Sequence, residues 1–106
     1  MFDFKWSESE KKIARQVFRA ALDAELAQLI ADFKARAAAA TAVDDLWSIQ
    51  EHLYRVRREI DIKYDYRYSQ LPLVFGRLLR ESRIQEADLA GLADDKIAFV
   101  RRVASL

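Results

Sequence analysis

From Ser7 to about Ala39 the chain contains neither glycine nor proline, and it opens with Ser7 and Glu10 at the S-x-x-E spacing of a capping box. The pattern predicts one helix of ~33 residues, on the order of 50 Å long at about 1.5 Å per residue. A compact domain of ~100 residues has a radius of gyration near 13 Å, so a helix this long cannot belong to a compact ball. Its apolar residues form two stripes, one of Ile13, Val17, Ala20 and Ala24 and one of Phe18, Leu22, Leu26, Leu29 and Phe33. That surface is wider than a helix facing one neighbour needs, which predicts more than one partner helix.

Residues 37–43, mostly alanine, read as a helix end and short connection, with Asp44 or Asp45 as the next N-cap. A second long helix then runs to about Tyr66 and carries two organised faces. Leu46, Ile49, Leu53, Val56 and Ile60 recur at steps of three and four and form a narrow apolar seam. Trp47, Tyr54 and Asp61 recur every seven residues on a second line, roughly 130° from the seam, beside Gln50, Glu51, Arg57 and Arg58. A tryptophan on the polar side of a helix needs a reason. It either packs at a dimer boundary or acts as an aromatic anchor for a partner, and both can hold when two chains build one site.

Ser69 with Pro72 in the first turn opens a third, shorter helix with Leu71, Val74, Phe75, Leu78 and Leu79 as core candidates; Gly76 weakens it modestly. A short helix around Glu86 to Leu89, a break at Gly91 and a last helix capped by Asp94 complete the chain. The fold class is therefore all-α: an elongated antiparallel two-helix hairpin with a small C-terminal helical cap. With no repeat and no flexible linker, residues 1–106 form one domain, in which 1–68 are the hairpin and dimerisation region and 69–106 the head. A hairpin this long leaves apolar stripes uncovered, and pairing with a second copy around a two-fold axis buries them in a four-helix core. A homodimer is expected, with Leu46, Ile49, Leu53 and Val56 at the contact.

Composition removes several function classes. A hydrophobic content of 52% is ample for a packed core, and two glycines and one proline favour helices nearly throughout. Eighteen basic against 17 acidic residues give a net charge of +1 and no electrostatic case for nucleic acid. The absence of cysteine excludes disulfides and thiolate chemistry and fits a reducing compartment. No signal-peptide run and no stretch of ~20 apolar residues is present, so a cytoplasmic protein without a membrane span is expected.

Nothing in the sequence asks for catalysis, and neither a metal nor another cofactor is expected. The single histidine, His52, has no cysteine or second histidine to complete a metal site. The acid pairs Asp44-Asp45 and Asp94-Asp95 each precede a helix, where capping and the helix dipole explain them. No glycine-rich loop or nucleophile elbow exists. Arg55, Arg57 and Arg58 are interleaved with acids, and Glu51–Arg55, Arg57–Asp61 and Glu59–Lys63 stand at i and i+4, the spacing of a solvated face laced with ion pairs. Tyr64, Tyr66 and Tyr68 alternate with charged residues in the manner of a base-stacking platform, but near-neutral charge favours packing between parts of the chain.

Asp44, Asp45, Leu46 and Trp47, followed by Arg57, Glu59, Ile60, Asp61, Lys63, Tyr64, Asp65 and Arg67, resemble the central signature of the fluorescence recovery protein family. Trp6-Ser7, Phe18-Arg19 and Glu25-Leu26 upstream, and Val74-Phe75, Leu78-Leu79, Leu92-Ala93 and Asp95-Lys96 downstream, extend the resemblance collinearly over nearly the whole chain. It implies a non-enzymatic dimeric regulator that binds the photoactivated orange carotenoid protein of cyanobacteria, through a surface including that protein's C-terminal domain. Such a regulator speeds red-to-orange reversion and helps detachment from the phycobilisome, in the cytoplasm and, in a cyanobacterium, at the cytoplasmic face of thylakoids. The resemblance also implies partner-binding positions on the second helix, namely Trp47, Gln50, Glu51 and Arg57, with Tyr54 beside them, and Leu73 and Phe99 in the head. Trp47 and Arg57 are unchanged from the family pattern, whereas Gln50 stands for a His, Glu51 for an Asp, Leu73 for a Phe and Phe99 near a Lys. These departures open a second reading: a homodimeric helical adaptor of the same fold that binds an unrelated protein, or a carotenoid-binding protein related to the first.

Overall fold

The computed structural model describes residues 4–106 and is all-helical, with α1 (Glu8–Ala39), α2 (Val43–Lys63), α3 (Leu71–Arg80), a 3₁₀ turn (Glu86–Leu89) and α4 (Asp94–Ala104). No β-strand occurs among the described residues. α1 begins as the capping box predicts: the Ser7 hydroxyl accepts the Glu10 N–H at 3.2 Å, and a Glu10 carboxylate oxygen accepts the Ser7 N–H at 3.0 Å. Two N–H groups with no partner in the helix are thereby satisfied.

α2 starts earlier and ends earlier than its sequence suggests. Val43 is its first residue, so neither Asp44 nor Asp45 is the N-cap. Asp45 lies within the first turn, and its carboxylate reaches back to accept the Thr41 and Ala42 N–H groups at 2.9 and 3.0 Å, as the acid of a capping box does. Those two bonds hold its carboxyl below the usual value. At the other end the helix stops at Lys63 and not at Tyr66. Residues two apart in extended chain share a side, and Tyr64 and Tyr66 both meet the Phe18 ring edge-on, with centroids 5.4 and 4.8 Å away. Tyr68 continues the series, 5.8 Å from Tyr66 and 5.5 Å from Trp6. Each such ring pair is worth about 0.5–1.5 kcal/mol beyond the area it buries, more than three further residues of helix offer. The tyrosines are packing residues and present no stacking platform.

The described residues group into two compact units. One comprises the chain up to Leu22 together with Tyr64–Leu106; the other is Asp23–Lys63. In the first, Ala14, Val17, Phe18 and Ala21 of α1 pack with Leu71, Val74, Phe75 and Leu78 of α3, with Ile84, Leu89 and Leu92, and with Val100 of α4. Leu79 is half-buried beside them. The N-cap of α3 is Gln70 and not Ser69, and no side chain caps it; Pro72 occupies the first turn as expected. Its C-terminus closes in a Schellman arrangement, with the Arg83 N–H on the Leu78 carbonyl, the Ser82 N–H on the Leu79 carbonyl, and Ser82 at φ 59. The 3₁₀ turn falls where a short helix was predicted, and Gly91, at φ 102, marks the break after it.

α4 is preceded by Ala93 at its N-cap and not capped by Asp94. The Ala93 N–H goes instead to a Glu10 carboxylate oxygen at 2.9 Å. The same oxygen receives the Lys96 ammonium at 2.9 Å, and that ammonium also donates to the Lys5 carbonyl at 2.6 Å. Lys96 is 3% exposed and Glu10 7%. A salt bridge therefore lies inside this unit and ties the start of α1 to the start of α4. Burial alone would raise the Glu10 carboxyl, but the Ser7 and Ala93 N–H groups and the Lys96 ammonium outweigh it and lower it to about 2.

Gly76 has a packing reason that propensity does not show. A Cβ placed there would stand 2.4 Å from Val103 Cγ1 and 2.5 Å from Val103 Cβ. α3 and α4 thus approach closely enough to exclude a methyl group, and valine's branched Cβ has no spare rotation with which to give way. Helix propensity alone makes Gly76→Ala stabilising by about 1 kcal/mol. We expect the opposite sign, a loss of roughly 1–3 kcal/mol from overpacking, read as a lower midpoint in urea-induced unfolding. A higher midpoint would show that the close approach carries no cost.

In the second unit, Asp23–Lys63, burial is sparse. No residue of α1 beyond Ala21 is fully buried, and α2 buries only Ile49, Ile60 and Lys63. The Lys63 ammonium meets the Glu25 carboxylate at 2.7 Å, with side chains 5% and 15% exposed. This long-range pair replaces the Glu59–Lys63 pair expected from spacing.

Candidate partner-binding site

At about 100° per residue, Trp47, Gln50, Glu51, Tyr54, Arg57, Arg58 and Asp61 fall within an arc of roughly 120° on α2. The helix persists across the whole arc, since Val43–Lys63 contains no glycine or proline. Every one of these residues is exposed. Trp47 keeps 57% of its surface in solvent and Tyr54 65%. The seven-residue spacing places the two rings on one arc, and their exposure excludes a packed interior position for Trp47 within this chain.

Gln50, Glu51, Tyr54 and Arg55 line an open hollow of about 430 Å³. Arg55 belongs to this hollow although it is absent from the residues predicted for the site; its i+4 spacing from Glu51 was the available signal. That spacing does not produce an ion pair, since no ion pair joins Glu51 to Arg55. Arg57 touches Asp61 only at 4.0 Å, with both side chains largely in solvent. Such a pair contributes a few tenths of a kcal/mol and leaves the guanidinium free to turn to another carboxylate. The hollow therefore offers one carboxylate, one amide, one phenol ring and one guanidinium, a set suited to hydrogen bonding and ring contact. His52 is half-buried beside the seam. No group of three or more His, Cys, Asp or Glu residues that could hold a metal occurs among the described residues.

The seam residues differ in exposure. Ile49 is buried at 9%, Leu53 and Val56 are half-buried, and Leu46 is 51% exposed. Val43 on α2 and Leu26, Ile30 and Phe33 on α1 add 60%, 37%, 55% and 41% exposure to the same unit. Clusters of large exposed apolar side chains mark interaction surfaces in proteins that stay in solution.

Leu73 and Phe99 belong to the first unit. Leu73, 37% exposed, projects from α3 between buried Pro72 and Val74. Phe99 is half-buried on α4, with the Phe4 ring edge-on at 5.8 Å and the Arg102 guanidinium 6.0 Å from its ring centre. The contact with Phe4 had no sequence signal, because the two residues lie 95 positions apart and share no periodic pattern.

No helix among the described residues is long and apolar enough to cross a membrane. Over residues 6–104 the sequence matches the family described as photoprotection regulator fluorescence recovery protein. It is 41% identical over 101 residues to the fluorescence recovery protein of Synechocystis sp. (strain ATCC 27184 / PCC 6803 / Kazusa), covering 95% of this chain and 93% of that relative. The solved structure of the fluorescence recovery protein from Synechocystis sp. PCC 6803 matches with a TM-score of 0.93 at 40% identity. That from Fremyella diplosiphon matches with a TM-score of 0.93 at 32% identity, and each alignment covers 96% of this chain and 100% of the other.

Proposed function

Because this chain belongs to the fluorescence recovery protein family, a family of photoprotection regulators, we propose that it binds the photoactivated orange carotenoid protein and accelerates its red-to-orange reversion. It thereby helps detach that protein from the phycobilisome and ends photoprotective quenching. The observation that carries the reading is the exposure of Trp47 and Tyr54 on the arc of α2 that also bears Arg57. Aromatic anchors beside an arginine are the composition of interface hot spots.

The physical route needs no covalent step. A surface that prefers the compact arrangement of a two-domain partner holds the separated domains close, raises their effective concentration and shifts the population toward the closed state. Trp47 supplies buried apolar area, Arg57 charge-assisted hydrogen bonds and Glu51 a complementary charge, with Gln50 and Tyr54 completing the contact. Leu73 and Phe99 form a second contact on the head. The working unit is a homodimer in a four-helix core, sealed by Leu46, Ile49, Leu53 and Val56. The exposed Leu46, Val43 and Ile30 support it, because pairing two copies removes their surface from water at about 25 cal/mol per Å². The site of action is cytoplasmic and, in a cyanobacterium, at the cytoplasmic face of thylakoids.

Trp47→Ala is expected to slow reversion of the photoactivated partner to nearly its unaided rate, read as absorbance recovery in the dark. Loss of a hot-spot tryptophan costs about 2 kcal/mol or more, roughly thirtyfold in affinity. Recovery at the unaided rate with the unsubstituted protein would reject the carotenoid-protein role. It would favour the adaptor reading, which the substituted positions Gln50, Glu51, Leu73 and Phe99 support.

A further inference from the structure

Arg55, Arg58 and Ile62 stand at i, i+3 and i+7 on α2, so they form one line that rises about 10 Å along the helix. All three are exposed, and Ile62, at 70%, is barer than Trp47 or Tyr54. The line runs beside the Trp47–Tyr54 arc and shares Arg55 with the hollow. It lies roughly 150° around the helix from the seam of Leu46, Ile49, Leu53 and Val56, so pairing of two copies through that seam does not draw on it. Helix stability does not explain the two arginines. Among the described residues no ion pair joins Arg55 to Glu51 or Glu59, and none involves Arg58. Like charges at i and i+3 cost a helix about a few tenths of a kcal/mol. Neither arginine lies in the last turn, where the helix dipole favours a cation; Lys63 holds that place. A single exposed isoleucine is ordinary. One in line with two unpaired guanidiniums has a definite complement.

We infer that Arg55, Arg58 and Ile62 form a further partner contact, which seats in an apolar cleft edged by carboxylates on the photoactivated carotenoid protein. The inference rests on the carotenoid-protein reading and extends the α2 surface toward Lys63. Charge favours a protein over a membrane here. Glu51, Glu59 and Asp61 are exposed on either side of the line and repel a uniformly anionic lipid surface, whereas a protein can place single carboxylates opposite the two guanidiniums. The two residue types then do different things. The arginines steer the encounter and make it salt-dependent, and Ile62, which loses its water only in the docked complex, slows dissociation.

Binding kinetics against the illuminated carotenoid protein, with Trp47→Ala as a separate arm, read both effects. Arg55→Gln together with Arg58→Gln is expected to lower the association rate about tenfold at low salt and to flatten its dependence on salt between about 0.05 and 0.5 M. Ile62→Ser is expected to raise the dissociation rate about tenfold, and Ile62→Leu to leave it near that of the unsubstituted protein. Because all three side chains are exposed, the variants should keep the helical circular dichroism and the sedimentation of the unsubstituted protein. An unchanged rate in either variant, with binding lost in Trp47→Ala, rejects this contact and leaves the Trp47 site standing. Both rate changes, with normal binding by Trp47→Ala, do the reverse. A smaller sedimenting species in Ile62→Ser overturns the inference by making Ile62 a contact between copies. No binding by the unsubstituted protein overturns both readings, and Ile62-dependent binding to phosphatidylglycerol vesicles would then assign the line to a membrane surface.

Discussion

Glu10→Ala is expected to lower the unfolding free energy by about 3–5 kcal/mol, the cost of stranding the Lys96 ammonium, 3% exposed, without its carboxylate. For a chain of this size that is a large share of a total near 5–15 kcal/mol, and the thermal midpoint should fall by roughly 15 °C. The loss is larger than for an ordinary surface pair, because one carboxylate serves three donors: the Ser7 N–H, the Ala93 N–H and the Lys96 ammonium. Circular dichroism at fixed protein concentration measures it, and a midpoint within a few degrees of the unsubstituted protein would reject the role. The pH dependence has a defined sign. The Glu10 carboxyl sits at about 2 in the folded chain against an ordinary 4.5, so its contribution is complete above about 4.5 and is lost as pH falls toward 2. The stability difference between the unsubstituted protein and Glu10→Gln should therefore be constant at neutral pH and shrink through that acid window.

Lys63→Met is expected to cost about 3 kcal/mol, because it leaves the Glu25 carboxylate, 15% exposed, facing an apolar neighbour in place of its cation. Removing both charges, with Glu25→Leu and Lys63→Met together, should recover most of that loss, since two apolar side chains of similar volume satisfy each other. Urea titrations of the two single variants and the double variant measure the coupling. Costs that simply add would show that the two residues act independently, despite a separation of 2.7 Å. The pair matters to the proposed site because it holds the last turn of α2 to α1 inside the unit that carries Trp47, Tyr54 and Arg57.

How far the candidate site was legible depends on the kind of signal each residue gives. Trp47, Tyr54 and Asp61 announce a shared face through a seven-residue spacing, which any uninterrupted helix preserves. Their exposure, however, was undecided, since a ring on the polar side of a helix is equally compatible with packing against a neighbour. The hollow's fourth wall, Arg55, was assigned to an ion pair with Glu51 because i,i+4 spacing permits one; the exposed side chains gain too little from it to stay together. Phe4 on Phe99 had no local signal.

Features that repeat within a few residues were legible along the chain: all-helical structure, the capping box at Ser7, Pro72 in the first turn of α3, the break at Gly91, the face of α2, and family membership through a collinear signature. Tertiary structure decided where helices end and which charges pair. α2 stops at Lys63 because Tyr64 and Tyr66 gain more on Phe18 than in another helical turn. Lys63 turns to Glu25, Lys96 to Glu10, and Gly76 makes room for Val103. Each of these joins residues far apart in the chain, where burial strengthens an electrostatic contact or leaves no space for a methyl group, and neither effect has a period that a linear pattern can carry.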